Sequence, residues 1–371
     1  MVLDWPRALA WRLERQLLAP VGSGSVASVV HRLGAVPAQR DSAAELAVRT
    51  RRVESHPGEV ARALVDGEII KTFAFRGATH LMTPEDGGAF LALRASSRMW
   101  ELPSWQSFYG LAPADWPPLR EAVRGALCDG PLTWDELGAA VTATPRYRHL
   151  AAAFADRGAT LLKPFAWQGD MSFGPPRGTK VTFQRLDGNP RWAGLLDTDE
   201  AGRRAVEGYF RAYGPATPDH LQYWLGSGLG AARKRIRSWI ADLGDRLVEV
   251  DVDSERAVVL REDLEDLGSA RATTAIRLLP AHDQWVLGPG TADPHVVPPG
   301  LRTHVSRGAN LLVVGGVVAG TWSLEGDRVV VTWLPGPARG SKQAVPTQEV
   351  ADEVARLATI LDRSLRPDIQ T

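Results

Sequence analysis

Apolar residues recur at helical spacing three times near the start of the chain. They predict a helix over Pro6–Leu18 and a second over Ser25–Leu33, separated by a turn rich in proline and glycine. A third helix is predicted over Ser42–Val53, with Ser42 as its N-cap and Glu45 three residues later, the arrangement of a capping box. The exposed face of this third helix is predicted to carry Arg49, Arg51 and Arg52.

A pair of short strands follows the third helix, and the same order of helices and strands recurs twice along the chain. The second unit begins at Thr133, which is predicted to cap a helix with Glu136 at its third position. The third unit begins with a helix start at residues 215–221. The three strand pairs are predicted at Ile69–Phe75 with Thr79–Met82, at Thr160–Trp167 with Thr179–Leu186, and at Arg246–Val252 with Ala257–Leu260. Helices followed by a hairpin are the composition of a winged helix.

The pattern changes after Thr274 to strands of alternating apolar and polar residues. These strands predict a closed or half-open antiparallel barrel, and an amphipathic helix over Thr347–Leu361 ends the pattern. The predicted fold class is therefore α+β, with three tandem winged-helix domains followed by a C-terminal antiparallel β-barrel-like domain. The predicted domains are residues 1–118, 119–200, 201–268 and 269–371.

Composition narrows the classes of protein to which this chain can belong. Its hydrophobic fraction of 44% and charged fraction of 23% are those of a water-soluble globular protein. No apolar run reaches the roughly 18 residues that span a bilayer, and the N-terminus lacks a signal core, so we expect a cytoplasmic protein. The single cysteine, Cys128, excludes an internal disulfide. The histidines lack metal-ligand spacing and no glycine-rich nucleotide motif is present, so no metal and no cofactor are expected.

Four segments carry a family resemblance. They read RGATHL at residues 76–81, GPATPD at 214–219 with Trp224 downstream, RLLPAHDQWVLG at 277–288, and GTW at 320–322. Together they resemble the winged-helix DNA-binding family of azinomycin-resistance-type (AlkZ/YcaQ-like) DNA glycosylases, and they occur in the same order over most of the chain. The resemblance implies three winged helices and a β-barrel around a DNA channel, with excision of alkylated purines as the activity.

The same resemblance directs attention to the loop after the second helix. Family members carry Gln-apolar-Gln there, and a sister branch carries Gln-apolar-Asp, whereas this chain reads Pro37-Ala38-Gln39. We expect Gln39 to hold the water that attacks the sugar, because an amide can accept one hydrogen bond and donate another. Pro37 is expected to widen the space beside the sugar, and Asp41 to supply a stabilising negative charge or only to cap a helix.

The remaining candidates are DNA contacts, and each has a structural alternative. The arginines of the third helix could either contact phosphates or form a solvated helix face, and the sequence favours neither. For the basic cluster at 233–237, phosphate contact is favoured. His282 and Asp283 are read as neighbours in a strand whose side chains face opposite ways. The predicted DNA-contacting residues are Pro37, Arg49, Arg51, Arg52, Arg76, His80, Arg233, Lys234, Arg235, Arg237, His282, Asp283, Trp285 and Trp322.

Two functions remain open from the sequence. The first is a monofunctional glycosylase that hydrolyses the N-glycosidic bond of N7- or N3-alkylated purines, including bulky natural-product adducts in self-resistance. The second is a non-catalytic DNA-binding protein, a regulator or a lesion sensor, which the neutral net charge and Pro37 favour. A protein-interaction scaffold ranks third. The expected partner is double-stranded DNA carrying alkylated purines, and a monomer is the default.

Overall fold

The computed structural model describes residues 2–158, 160–334 and 345–370. These residues form a mixed α+β fold, which confirms the predicted class. The helices are α1 Trp5–Arg15, α2 Val26–Leu33, α3 Asp41–Arg49, α4 Glu59–Val65, α5 Pro84–Ser96, α6 Pro103–Tyr109, α7 Trp116–Ala126, α8 Trp134–Thr142, α9 Ala151–Ala155, α10 Lys163–Trp167, α11 Thr198–Tyr213, α12 Pro218–Leu221, α13 Arg233–Leu243, α14 Leu264–Ser269, α15 Gln284–Leu287, α16 Arg302–Ser306 and α17 Thr347–Leu361. The strands are β1 Val2–Leu3, β2 Val36–Pro37, β3 Ile70–Phe73, β4 Thr79–Met82, β5 Leu132–Thr133, β6 Met171–Arg177, β7 Lys180–Arg185, β8 Leu247–Val252, β9 Glu255–Leu260, β10 Ile276–Leu279, β11 Asn310–Val314, β12 Val317–Glu325, β13 Arg328–Trp333 and β14 Arg366–Gln370.

The chain forms two compact units. The first comprises Met1–Val60, Val206–Trp224 and Ile240–Thr371, and the second comprises Ala61–Ala205 and Leu225–Trp239. The first unit is thus assembled from three separate stretches of sequence. The predicted four domains and their winged-helix character stay predictions.

A five-stranded sheet forms the core of the first unit, in the order β10-β11-β12-β13-β14. The first four strands are antiparallel, and β14 adds in parallel to β13. Within the described residues β10 and β14 are the two edges, so the prediction of a closed barrel is wrong. Both faces are instead covered by helices, which bury the apolar side chains without closure of the sheet.

Alternation along β11 shows how the two faces are covered. Leu312 and Val314 pack in a cluster with apolar residues of α17, whereas Leu311 and Val313 pack with residues of α1 and α15. Successive side chains of a strand point to opposite faces, so one strand serves both cores. The predicted bounds of the terminal helix, Thr347–Leu361, are confirmed.

The helices near the start of the chain agree with the sequence in α2 and differ in α3. Helix α2 starts at Ser25 as predicted, and Ser25 is its N-cap, since its side chain accepts a hydrogen bond from the Ser28 amide. Helix α3 begins one residue before Ser42 and has Arg40 at its N-cap, so the predicted capping box is wrong. The Glu45 carboxylate accepts a hydrogen bond from the Gly58 amide instead, at 2.7 Å.

Two of the three predicted hairpins are confirmed, and the remaining one begins later in the chain than predicted. Strand β3 pairs with β4 and β8 pairs with β9, both antiparallel. The strand predicted at Thr160–Trp167 is wrong: α10 occupies its second half, with Pro164 in the first turn. Proline suits the first turn of a helix because the missing amide hydrogen would have no partner there. The partner of β7 is β6, which follows α10.

Aromatic side chains fill part of the second unit's core. Trp167 of α10 lies 6.4 Å from Trp100, and Trp116 lies 5.8 Å from Phe165, measured between ring centroids. The predicted cap of α8 is confirmed in this unit, because Thr133 and Glu136 exchange hydrogen bonds. No helix in the described part of either unit combines the length and the apolar character needed to cross a membrane.

Candidate functional site

Gln39 lies on the surface of the first unit, between β2 and α3. Among the described residues its side chain has no hydrogen-bond partner, so both ends of the amide are available to a ligand. Asp41 is also exposed and is the first residue of α3. Pro37 is buried in β2, and its predicted widening of the space beside the sugar stays a prediction.

A turn at residues 281–283 is tied to both ends of this loop segment. On one side the Gln284 side-chain amide donates a hydrogen bond to the Ala35 carbonyl at 2.6 Å. On the other side Arg51 donates two hydrogen bonds to the Asp283 carboxylate, at 2.6 and 2.8 Å. The same carboxylate accepts from the Trp285 amide and caps α15. Because these bonds flank residues 36–50, they fix the turn relative to Gln39.

His282 occupies the middle of this turn with a left-handed backbone, at φ 59°. A non-glycine residue in that region is strained, and such strain concentrates at functional sites. The ring is half-buried and packs against Gly308, where an added β-carbon would lie only 2.6 Å from its Nε2 atom. Burial, and then the positive charge of Arg40, lower the pKa of His282. The imidazole is therefore neutral at neutral pH.

Comparison with known proteins identifies the family. A model of the family described as DNA glycosylase AlkZ-like matches residues 30–360. The interstrand DNA cross-link repair glycosylase of Streptomyces sahachiroi is 36% identical over 364 residues, which cover 96% of each protein. The solved structure of the Streptomyces sahachiroi DNA glycosylase AlkZ matches with a TM-score of 0.93 and 36% identity, covering 100% of both chains. The chain belongs to the AlkZ-like DNA glycosylase family. The resemblance noted in the sequence is thereby confirmed.

Three of the arginines predicted to contact DNA in this AlkZ-like chain have internal partners instead. Arg51 is fully buried in its pair with Asp283, and Arg49 is 4% exposed and donates to the Ile360 carbonyl and the Ser55 hydroxyl. Arg52 donates to the Gly24 carbonyl and to the Glu59 carboxylate. The helix ends at Arg49 rather than at Val53, so Arg51 and Arg52 lie beyond it. The prediction that they form an exposed face is wrong.

Several predicted DNA contacts in the segment that begins at β10 are also wrong. His282 and Asp283 lie in a turn and not in a strand, and Asp283 is 1% exposed. Trp285 is fully buried and its indole donates to the Gly316 carbonyl at 2.9 Å, while the Trp322 indole donates to the Leu279 carbonyl at 3.0 Å. Neither ring is accessible to a base, so both tryptophans stabilise the core.

Helix α13 presents the basic cluster predicted from the sequence. Arg233, Lys234 and Arg237 are exposed, and within the described residues none of the three has an ion pair. Arg235 is half-buried and pairs with Asp199 at 2.9 Å. Three unpaired cations on one helix are available to phosphates, and their contact with DNA stays a prediction.

The remaining two candidates lie around β4 of the second unit. Arg76 is exposed, just before the strand, at φ 52°. His80 is buried, and its Nδ1–H donates to the Ala78 carbonyl at 3.0 Å. Its contact with DNA is therefore ruled out by burial. Sequence reasoning missed Arg40 and Gln284, although Gln284 stands within the family motif at 277–288.

We expect His80 to make the stability of this family member depend on pH. Burial lowers its pKa from 6.5 to about 4. The unfolded chain therefore takes up a proton between these values while the folded chain does not, so we expect stability to fall by about 3 kcal/mol as the pH drops from 6.5 to 4. Urea unfolding at several pH values measures this loss. His80→Gln should flatten the dependence, whereas His149→Gln, at an exposed histidine of the same unit, should preserve it. Equal slopes for wild type and His80→Gln would contradict the assignment.

Proposed function

We propose that this protein is a monofunctional DNA glycosylase that hydrolyses the N-glycosidic bond of N7- or N3-alkylated purines in double-stranded DNA. Purines joined in an interstrand cross-link belong to the proposed substrates, since the related Streptomyces sahachiroi protein is named for that repair. The observation that carries the proposal is the exposed Gln39 side chain, which has no partner within the described residues and stands at the second glutamine of the family motif.

The chemistry requires little from the protein beyond a positioned water. An alkylated purine carries positive charge, so its bond to C1′ breaks with the electron pair going to the purine nitrogen, and a cationic sugar develops. Gln39 accepts a hydrogen bond from the water through its Oε1 atom and donates one through Nε2 to a neighbouring oxygen. The water oxygen then bonds to C1′ and its proton passes to solvent. The contribution of Gln39 is orientation rather than base strength.

The sequence around the loop favours a hydrolysis reaction over a lyase reaction. A Schiff-base intermediate requires a lysine amine, and no lysine occurs among residues 1–70. The product is therefore proposed to be an intact abasic site. Three winged-helix domains that approach the DNA, with the α13 cations on phosphates, complete the proposal.

A second candidate function is DNA binding without catalysis. Pro37 favours it, because the first glutamine of the family motif is replaced by a buried residue with no polar side chain. Such a protein would act as a regulator or as a lesion sensor.

One assay separates the two functions. A duplex with a single N7-methylguanine, and a second duplex with an N7-linked interstrand cross-link, are incubated with the protein and heated in alkali to break abasic sites. We expect strand cleavage at the modified guanine and release of the cross-link. Tight, salt-sensitive binding without any cleavage supports the non-catalytic function. Unmodified duplex of the same sequence is the control for contaminating nucleases.

A further inference from the structure

Helix α16 of the first unit lies in a stretch of the chain that has no acidic residue, from Pro294 to Leu324. Arg302, His304 and Arg307 are exposed here. Within the described residues none of these side chains has an ion pair or a hydrogen bond. In a protein with a net charge of +0, a surface segment whose basic side chains lack acidic partners is unusual. None of these three residues was among those predicted to contact DNA.

The helical periodicity places these side chains on two different sides of the helix axis. His304 and Arg307 are three residues apart and therefore lie on one face. Arg302 and Arg307 are five residues apart, which places them about 140° from each other around the axis. Val305 is buried and holds the opposite face in the core of the unit. Arg307 thus points to solvent beside His304, while Arg302 lies along another edge.

The residues just after α16 contact the turn that holds His282. The imidazole packs against Gly308, the residue after Arg307. The Asn310 side chain accepts a hydrogen bond from the Ala281 amide at 2.9 Å, which fixes the two turns together. Burial lowers the pKa of His282, and the positive charge of nearby Arg40 lowers it further. Arg40 is exposed and, like the α16 cations, has no acidic partner within the described residues.

We propose that Arg40, His282, His304 and Arg307 form one DNA-backbone contact surface beside Gln39, with phosphate groups as its ligands. This inference rests on the proposed function, since the strand whose sugar faces Gln39 is the strand whose phosphates would lie along these residues. Guanidinium and imidazole groups both donate hydrogen bonds to phosphate oxygens, and the guanidinium adds charge. The left-handed backbone of His282 sets its ring against Gly308, the residue after Arg307.

The test measures DNA affinity against salt for Arg307→Gln and for Arg40→Gln in the full chain. Each variant should bind an undamaged duplex about 3-fold more weakly at moderate salt, and the slope of log K against log salt should flatten by about 0.9. The double variant should lose about 10-fold. Arg307→Lys should return most of the affinity.

Arg302→Gln is the matched control, since it removes the same charge from the first residue of α16, on another edge. Wild-type affinity in Arg302→Gln together with weaker binding in Arg307→Gln supports the surface. Equal losses in both variants show a general charge effect and overturn the inference. An unchanged salt slope in Arg307→Gln overturns it as well, and excision by the wild type then leaves the proposed function standing. If the wild-type protein binds no duplex at all, the proposed function and this inference both fail.

Discussion

Gln39→Ala should slow excision of an N7-alkylguanine about 100-fold or more, with little change in DNA affinity. The substitution removes the groups that hold the attacking water, and alanine offers no replacement acceptor. Because Gln39 is exposed and has no internal partner within the described residues, its loss should not weaken the fold. The measurement is the single-turnover rate of alkali-labile cleavage at saturating protein, with binding followed separately by fluorescence anisotropy.

Two further variants sharpen this test. Gln39→Asp should retain more activity than Gln39→Ala, because a carboxylate also accepts a hydrogen bond from water. Gln348→Ala removes an exposed amide from α17 and serves as the control. Equal excision rates for wild type and Gln39→Ala would refute the assigned role. Loss of binding together with excision would instead show that Gln39 anchors the DNA rather than the water.

Local signals in the sequence were sufficient for part of this molecule. Ser25 and Thr133 are residues that favour an N-cap, and both begin helices where the pattern placed them. The family motif likewise placed Gln39 in a loop. These features depend on neighbours within a few residues, whose chemistry a sequence displays directly.

Long-range partners account for the predictions that were wrong. Arg51 was assigned to an exposed face because its own neighbours are polar and basic, but its partner Asp283 lies 232 residues away. The strands after Thr274 predict a closed or half-open barrel, since alternation along β11 does not reveal that helices cover both faces of an open sheet. Burial in these cases is decided by segments that meet only in the folded chain.

The pair formed by Arg51 and Asp283 leads to the second prediction. Arg51→Met should destabilise the protein by about 3–5 kcal/mol, because it leaves the Asp283 carboxylate buried without its charge partner. Both side chains of the wild-type pair are fully buried, and the contact is bidentate. Asp283→Asn should also destabilise the fold, and the double variant should cost less than the sum of the two single changes. Urea unfolding of the four proteins measures this coupling.

An ion pair on the surface provides the control for these double-variant measurements. Arg366 and Asp327 form an exposed pair at 3.0 Å in the same unit, and Arg366→Met should cost less than about 1 kcal/mol. Additive losses for Arg51→Met and Asp283→Asn would contradict the coupling.

A buried ion pair is weak evidence for stability in itself, so its role here is positional: it holds the turn of His282 against the segment that carries Gln39. Variants of the pair that remain folded should therefore lose excision as well, while Arg366→Met should excise at the wild-type rate.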